Sequence, residues 1–130
     1  MIHTYKIYQE EKLILRKMRG NITVNDFKSI LEDTPNIPGY NPDYKVIIDY
    51  RNAHLISNLQ EYRSFLTLLK TKNYHKSTKI FIINSPRVFV ACNLFKDILG
   101  FKNTFIYSSP TAALHHFGLQ DTAAVHFFRI

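Results

Sequence analysis

Three times along this chain a short apolar run, rich in β-branched and aromatic residues, is followed by a helix-starting signal and then by apolar residues at helical spacing. Lys45-Val46-Ile47-Ile48-Asp49-Tyr50 leads through a connection at Arg51-Asn52-Ala53-His54 to Ser57 and Gln60, which stand at capping-box spacing. Leu59, Tyr62, Leu66 and Leu69 then form one stripe of a helix that the pattern carries to about Asn73. Lys79-Ile80-Phe81-Ile82-Ile83-Asn84 leads to Ser85-Pro86, a cap hydroxyl beside a proline whose φ already suits a helix. Val88, Ala91, Cys92, Phe95, Ile98 and Leu99 follow at i, i+3, i+4, i+7, and Gly100 closes the unit. Thr104-Phe105-Ile106-Tyr107, Ser109-Pro110 and a short helix through Leu114 to Gly118 repeat the scheme. Parallel strands need crossovers of this kind, because a tight turn joins only antiparallel neighbours. The chain is therefore predicted to be α/β, with a mainly parallel sheet of about five strands and about four helices.

The front of the chain differs. Tyr5–Tyr8 and Leu13–Met18 are β-like runs separated by the polar Gln9-Glu10-Glu11-Lys12, which predicts an N-terminal hairpin, and Gly20-Asn21 is read as the end of its second strand. Thr23 and Asp26 have the spacing of a capping box and open a helix with Val24, Phe27, Ile30 and Leu31 on one face, stopped by Thr34-Pro35. Pro35, Pro38 and Pro42 then withdraw three backbone donors, so residues 35–42 are predicted to be a surface loop. Residues 119–130 form an apolar C-terminal extension to a single domain spanning 1–130. Val125, Phe127, Phe128 and Ile130 are too apolar for a free tail, and either pack on their own domain or serve self-association with a second copy.

Hydrophobic residues make up 45% of the 130, aromatics 14%, and no apolar stretch has the roughly 20 residues of a membrane span, so disorder and a transmembrane segment are both excluded. Met1–Lys12 has no uninterrupted apolar core of the secretory kind, and the single Cys92 falls on a helix's core face, which together predict a cytoplasmic protein. The formal charge of +7 is concentrated in the second half, above all at Lys70–Lys79. That run has lysines but no arginine fork, so it reads as a solvated connection with no specific nucleic-acid partner. His115 and His116 are adjacent and point about 100° apart on a helix, and no His-x-x-x-His, Cys-x-x-Cys, Gly-x-Ser-x-Gly or phosphate-cradling glycine pattern occurs. Neither a metal, a cofactor nor catalysis is predicted.

This order of elements resembles the STAS fold of the SpoIIAA-type anti-sigma-factor antagonists, and within it the SpoIIAA-like branch of small stand-alone bacterial proteins. The likeness is carried by Gly20-Asn21-Ile22-Thr23, Pro38-Gly39-Tyr40, Ile48-Asp49-Tyr50-Arg51-Asn52-Ala53, Asn84-Ser85-Pro86-Arg87 and Phe105-Ile106-Tyr107 leading to Thr111-Ala112-Ala113-Leu114. It implies a non-catalytic protein-interaction or regulatory module. In the antagonists an Asp-Ser-Ser-Gly motif at a helix start carries the phosphorylated serine. Here that motif falls on Ser57-Asn58-Leu59-Gln60, so the resemblance implies a chain without the phosphorylation switch.

Open α/β sheets bind ligands beyond the carboxyl ends of their strands, where helix amino termini aim N–H groups outward. Asp49, Arg51, Ser57, Ser85, Arg87 and Ser109 stand at those ends. Two readings remain open for them: a site for a small anionic or apolar ligand, making the protein a carrier or sensor, or residues that brace loops and cap helices.

Overall fold

A computed structural model describes residues 2–70, 77–99 and 103–128. Five strands, β1 (Ile2–Tyr8), β2 (Leu13–Ile22), β3 (Lys45–Leu55), β4 (Lys79–Ile82) and β5 (Thr104–Tyr107), form one sheet in sequential order. β1 runs antiparallel to β2 and every later pair is parallel. The hairpin turns at Lys12, which takes the left-handed region at φ 53°. Helices α1 (Val24–Asp33), α2 (Leu59–Lys70) and α3 (Pro86–Leu99) are the crossovers. A sheet that adds each strand beside the last, through crossovers of one hand, must carry all three on one face. Apolar residues of α1, α2 and α3 do pack with Met18, Tyr50 and Phe81 on that face. The opposite face, with Leu13, Leu15, Ile47, Ile80 and Ile82, is covered by α4 (Pro110–His116) and the single turn α5 (Ala124–Phe127).

The predicted parallel runs at 45–50, 79–84 and 103–107 each contribute a strand to this sheet, β4 ending at Ile82 and β5 starting at Thr104. Three boundaries differ from the sequence reading. β2 continues through Gly20, at φ 84°, to Ile22 rather than breaking at Gly20-Asn21. β3 continues through Arg51–His54, the predicted connection, to Leu55. Lys17 pairs with Asp49 but Arg19 with Asn52, so β3 carries one extra residue, a bulge. Ile48 and Tyr50 face α1–α3, and beyond the bulge so do Ala53 and Leu55. The change of parity breaks a two-residue period read straight along the sequence. The third difference is at α2, where the reciprocal cap is Asn58 with Glu61, not Ser57 with Gln60. The Asn58 amide donates to Glu61 Oε1 at 3.2 Å, and the Glu61 amide donates to Asn58 Oδ1 at 2.9 Å. Leu59, placed in the buried stripe by its spacing, is 43% exposed because Phe65 takes that role.

Other signals carry through. Thr23 and Asp26 form the capping box of α1, and the hydroxyls of Ser85 and Ser109 accept from the Val88 and Ala112 amides at 3.2 Å. The C-terminal segment folds back on its own sheet: Ala124 and Phe128 are buried, Val125 and Phe127 pack around them, and Lys17 Nζ lies 4.6 Å from the Phe127 ring centroid. Of the two homes open to this segment, the structure takes the first, since a sheet whose crossovers all lie on one side leaves the other face to be covered. Ile130, the basic connection at 71–76 and Gly100 lie outside the described residues.

Candidate functional site

A chamber of about 670 Å³ lies between the sheet and helices α1, α2 and α3. Its floor follows from strand register. Ile14, Val46 and Lys79 form one cross-strand row, and Arg16, Ile48 and Phe81 form the next. Its roof is the apolar face of α1 together with α2. The Val24, Phe27, Ile30 and Leu31 face of α1 contains no fully buried side chain, so this helix stands off the sheet rather than closing on it. Phe27 bridges the layers, with ring centroids 6.4 Å from Tyr50, 5.9 Å from Tyr62 and 6.4 Å from Phe65. The T-shaped pairs Tyr50–Phe81 and Phe81–Phe95 extend this wall.

The exposed lining residues Lys28, Glu32, Pro35, Pro42 and Leu68 come from the middle and end of α1, the later turns of α2 and the connection after α1. The chamber therefore meets solvent at the amino ends of the parallel strands, the opposite end from the rim singled out in the sequence. Two buried cations stand on the floor near this mouth. Arg16 donates to the Thr34 hydroxyl at 2.9 Å and lies 3.1 Å from His3 Nε2, while Thr34 donates to the Ile30 carbonyl at 2.6 Å. Lys79 Nζ donates to the Ser77 carbonyl at 3.2 Å and its hydroxyl at 3.3 Å. Burial lowers the Lys79 ammonium to about 8. Burial and the Arg16 charge together hold His3 down at about 4, so its imidazole is neutral at physiological pH.

At the carboxyl ends of the strands the six predicted residues are distributed as follows. Asp49, 5% exposed, receives the Arg51 backbone amide at 3.0 Å and both Nε, at 3.0 Å, and a terminal guanidinium nitrogen, at 2.8 Å. The bulge permits this grip, and the hydrogen bonds to Asp49 hold the Arg51 proton more firmly. Lys17 and Phe128 border the same pair. Arg87 reaches elsewhere, donating to the carbonyls of Leu55 and Ser57 at 2.8 Å each, which ties the start of α3 to the β3–α2 connection. Ser57 is buried, and its hydroxyl accepts the Val24 amide at 3.0 Å, satisfying an open donor of α1. Ser85 and Ser109 cap α3 and α4. The structure thus joins Asp49 with Arg51 and Ser57 with Arg87, and leaves the two arginines in separate environments.

Arg16 and Lys79 escaped the sequence reading, which looked only at strand ends. The signal was parity: Arg16 alternates with Ile14 and Met18, and Lys79 with Phe81, placing each charge on the core-facing side of its strand. Cys92 lies where its helix period put it, buried, with its thiol pushed up to about 12. His115 and His116 are both exposed, and His116 lies against an edge with its Nδ1 2.6 Å from the Tyr107 hydroxyl. Among the described residues no helix is long and apolar enough to cross a membrane.

No protein-family model and no curated protein matches the chain. Among solved structures it is similar to an uncharacterised protein of the DUF3478 family with a SpoIIAA-like fold from Shewanella loihica, at 14% identity and a TM-score of 0.57, over 88% of this chain and 93% of that one. Sequential strand order, the N-terminal hairpin and three crossovers on one face agree with that likeness: the chain has a SpoIIAA-like α/β fold.

Proposed function

We propose that this protein is a non-catalytic binding module that holds a small, mainly apolar molecule in the chamber under α1 and α2, as a carrier or sensor. The observation that carries this reading is the chamber itself. Its 670 Å³ falls within the roughly 300–1,000 Å³ of small-molecule sites, and its walls are aromatic and aliphatic with a few polar groups at one end. A buried, unreactive thiol at Cys92 supports a role without nucleophilic chemistry. Native mass spectrometry of freshly purified protein tests the reading: a retained mass that is lost on denaturation, or saturable one-to-one uptake of dodecan-1-ol, is the expected result. Protein with no retained mass that takes up no dodecan-1-ol overturns it. Filling the floor with Ile48→Trp should abolish uptake while leaving the protein folded.

A second reading, docking of a protein partner, is favoured by Ile56, Leu59, Phe89 and Val90. These large apolar side chains are 43–55% exposed and come from the two segments that Arg87 ties together. The buried Ser57 hydroxyl, with Asn58 and Leu59 after it, supports a module that works without a phosphorylation switch. Phe89→Ser with Leu59→Ser should leave ligand uptake intact and abolish capture of a partner protein. Capture that is unchanged in this double variant removes the second reading.

A further inference from the structure

We propose that residues 37–44 form a strap across the chamber mouth and that the Gln9 side chain is its latch, setting how fast a ligand enters and leaves. This rests on the reading of the chamber as a ligand site. The strap begins where the roof ends, after α1 and the 3₁₀ turn at Thr34–Asn36, and finishes where the floor begins, at Lys45 of β3. Tyr40, Asn41, Pro42 and Tyr44 line the chamber from it. The amides of Ile37, Tyr40 and Tyr44 donate to the carbonyls of Thr34, Ile37 and Asn41, so these bonds shape local turns and do not tie the strap to the sheet. Pro38 and Pro42 have no amide to give.

Gln9 supplies a hold from outside the segment. It stands exposed in the turn between β1 and β2, and reaches the strap at positions 30 and 35 residues along the chain. Its Nε2 donates to the Gly39 carbonyl at 3.2 Å, and its Oε1 accepts from the Tyr44 hydroxyl at 2.7 Å. One amide side chain thus uses both its donor and its acceptor to clasp the strap at two points. The approach is close: Gly39 has φ 81°, and a Cβ there would collide with Gln9 Nε2, so only glycine offers both the backbone and the room. Both bonds lie in solvent, where each shifts an equilibrium by about 2- to 10-fold. That is too little to anchor a core but suits a closure that opens repeatedly. A ligand passing this mouth displaces the strap, and the strap closes again whether the chamber is filled or empty. The latch therefore acts on both rates of exchange and leaves affinity alone.

The test is stopped-flow fluorescence of the full chain with N-phenyl-1-naphthylamine, an uncharged apolar dye. Association is read on mixing and dissociation on displacement by dodecan-1-ol. Gln9→Ala should raise both rate constants about 10-fold and leave Kd within about twofold. Gln9→Glu keeps the acceptor for Tyr44 and loses the donor to Gly39, so its rates should fall between those of Gln9→Ala and the native chain. Glu10→Ala, exposed in the same turn, should change neither rate. Gln9 is exposed, so both of its variants keep the fold, which a cooperative thermal melt checks. Unchanged rates in Gln9→Ala, or faster dissociation alone with weakened affinity, overturns the latch while the chamber reading stands. A native chain that takes up neither the dye nor dodecan-1-ol removes both.

Discussion

His3 illustrates how a single side chain near the chamber mouth ties stability to pH. Its folded pKa of about 4 lies below the ordinary 6.5, so between those values the unfolded chain takes up a proton that the folded chain refuses. Stability is therefore full above about 6.5 and falls as pH drops toward 4. His3→Gln should flatten that slope in thermal melts taken from pH 7 to pH 4, and an unchanged slope would contradict the burial of this imidazole beside Arg16. Lys79 has the same sense in an alkaline window: with a folded value of about 8 against 10.5, stability rises as pH climbs between them. Lys79→Met should raise unfolding stability by about 1–2 kcal/mol at pH 7, because the lowered pKa measures the burden of keeping this charge inside. Ser57→Ala leaves the half-buried Val24 amide without this acceptor and should cost about 1 kcal/mol in a denaturant titration. Ser57 was legible as a helix-start residue but assigned to the wrong helix. Its hydroxyl serves α1, 33 positions earlier in the chain, a long-range contact that local spacing cannot encode.

At the scale of elements, strands and helices were legible where one period ran unbroken. β4, α3 and β5 follow their apolar patterns closely, while β3 outran its prediction because the bulge after Tyr50 reverses which residues face the core. The standing-off of α1 could not be read from sequence, since its capping box and apolar face look the same whether or not the helix closes on the sheet. With no fully buried side chain, α1 is the least anchored crossover, and its amides should exchange with solvent faster than those of α2 and α3 and slow when the chamber is filled. The C-terminal segment is the opposite case. Deleting residues 119–130 uncovers Leu13, Leu15 and Ile47, so the truncated chain should unfold at lower temperature and aggregate in light scattering. A truncated chain as stable and monodisperse as the full one would contradict the packing of α5 on the sheet.

Taken as a whole, the described molecule has a core cluster covered by α4 and α5 on one side of its sheet and a hollow layer on the other. Hairpin, parallel strands and capped crossovers specify the architecture, and that much the sequence pattern carried. The hollow depends on how far α1 sits from β2 and β3, a distance set by side-chain volumes from four elements at once. Its open side lies at the amino ends of the strands, beside the last turns of α1 and α2. The most direct test is a methyl NMR titration of the full chain with dodecanoate. The account predicts saturable shifts at Ile14, Ile30, Ile48, Leu66 and Leu69, around the chamber, with Leu13, Leu114 and Val125 on the far face unmoved. Shifts confined to Ile56, Leu59 and Val90, or none up to the solubility of the probe, would contradict it.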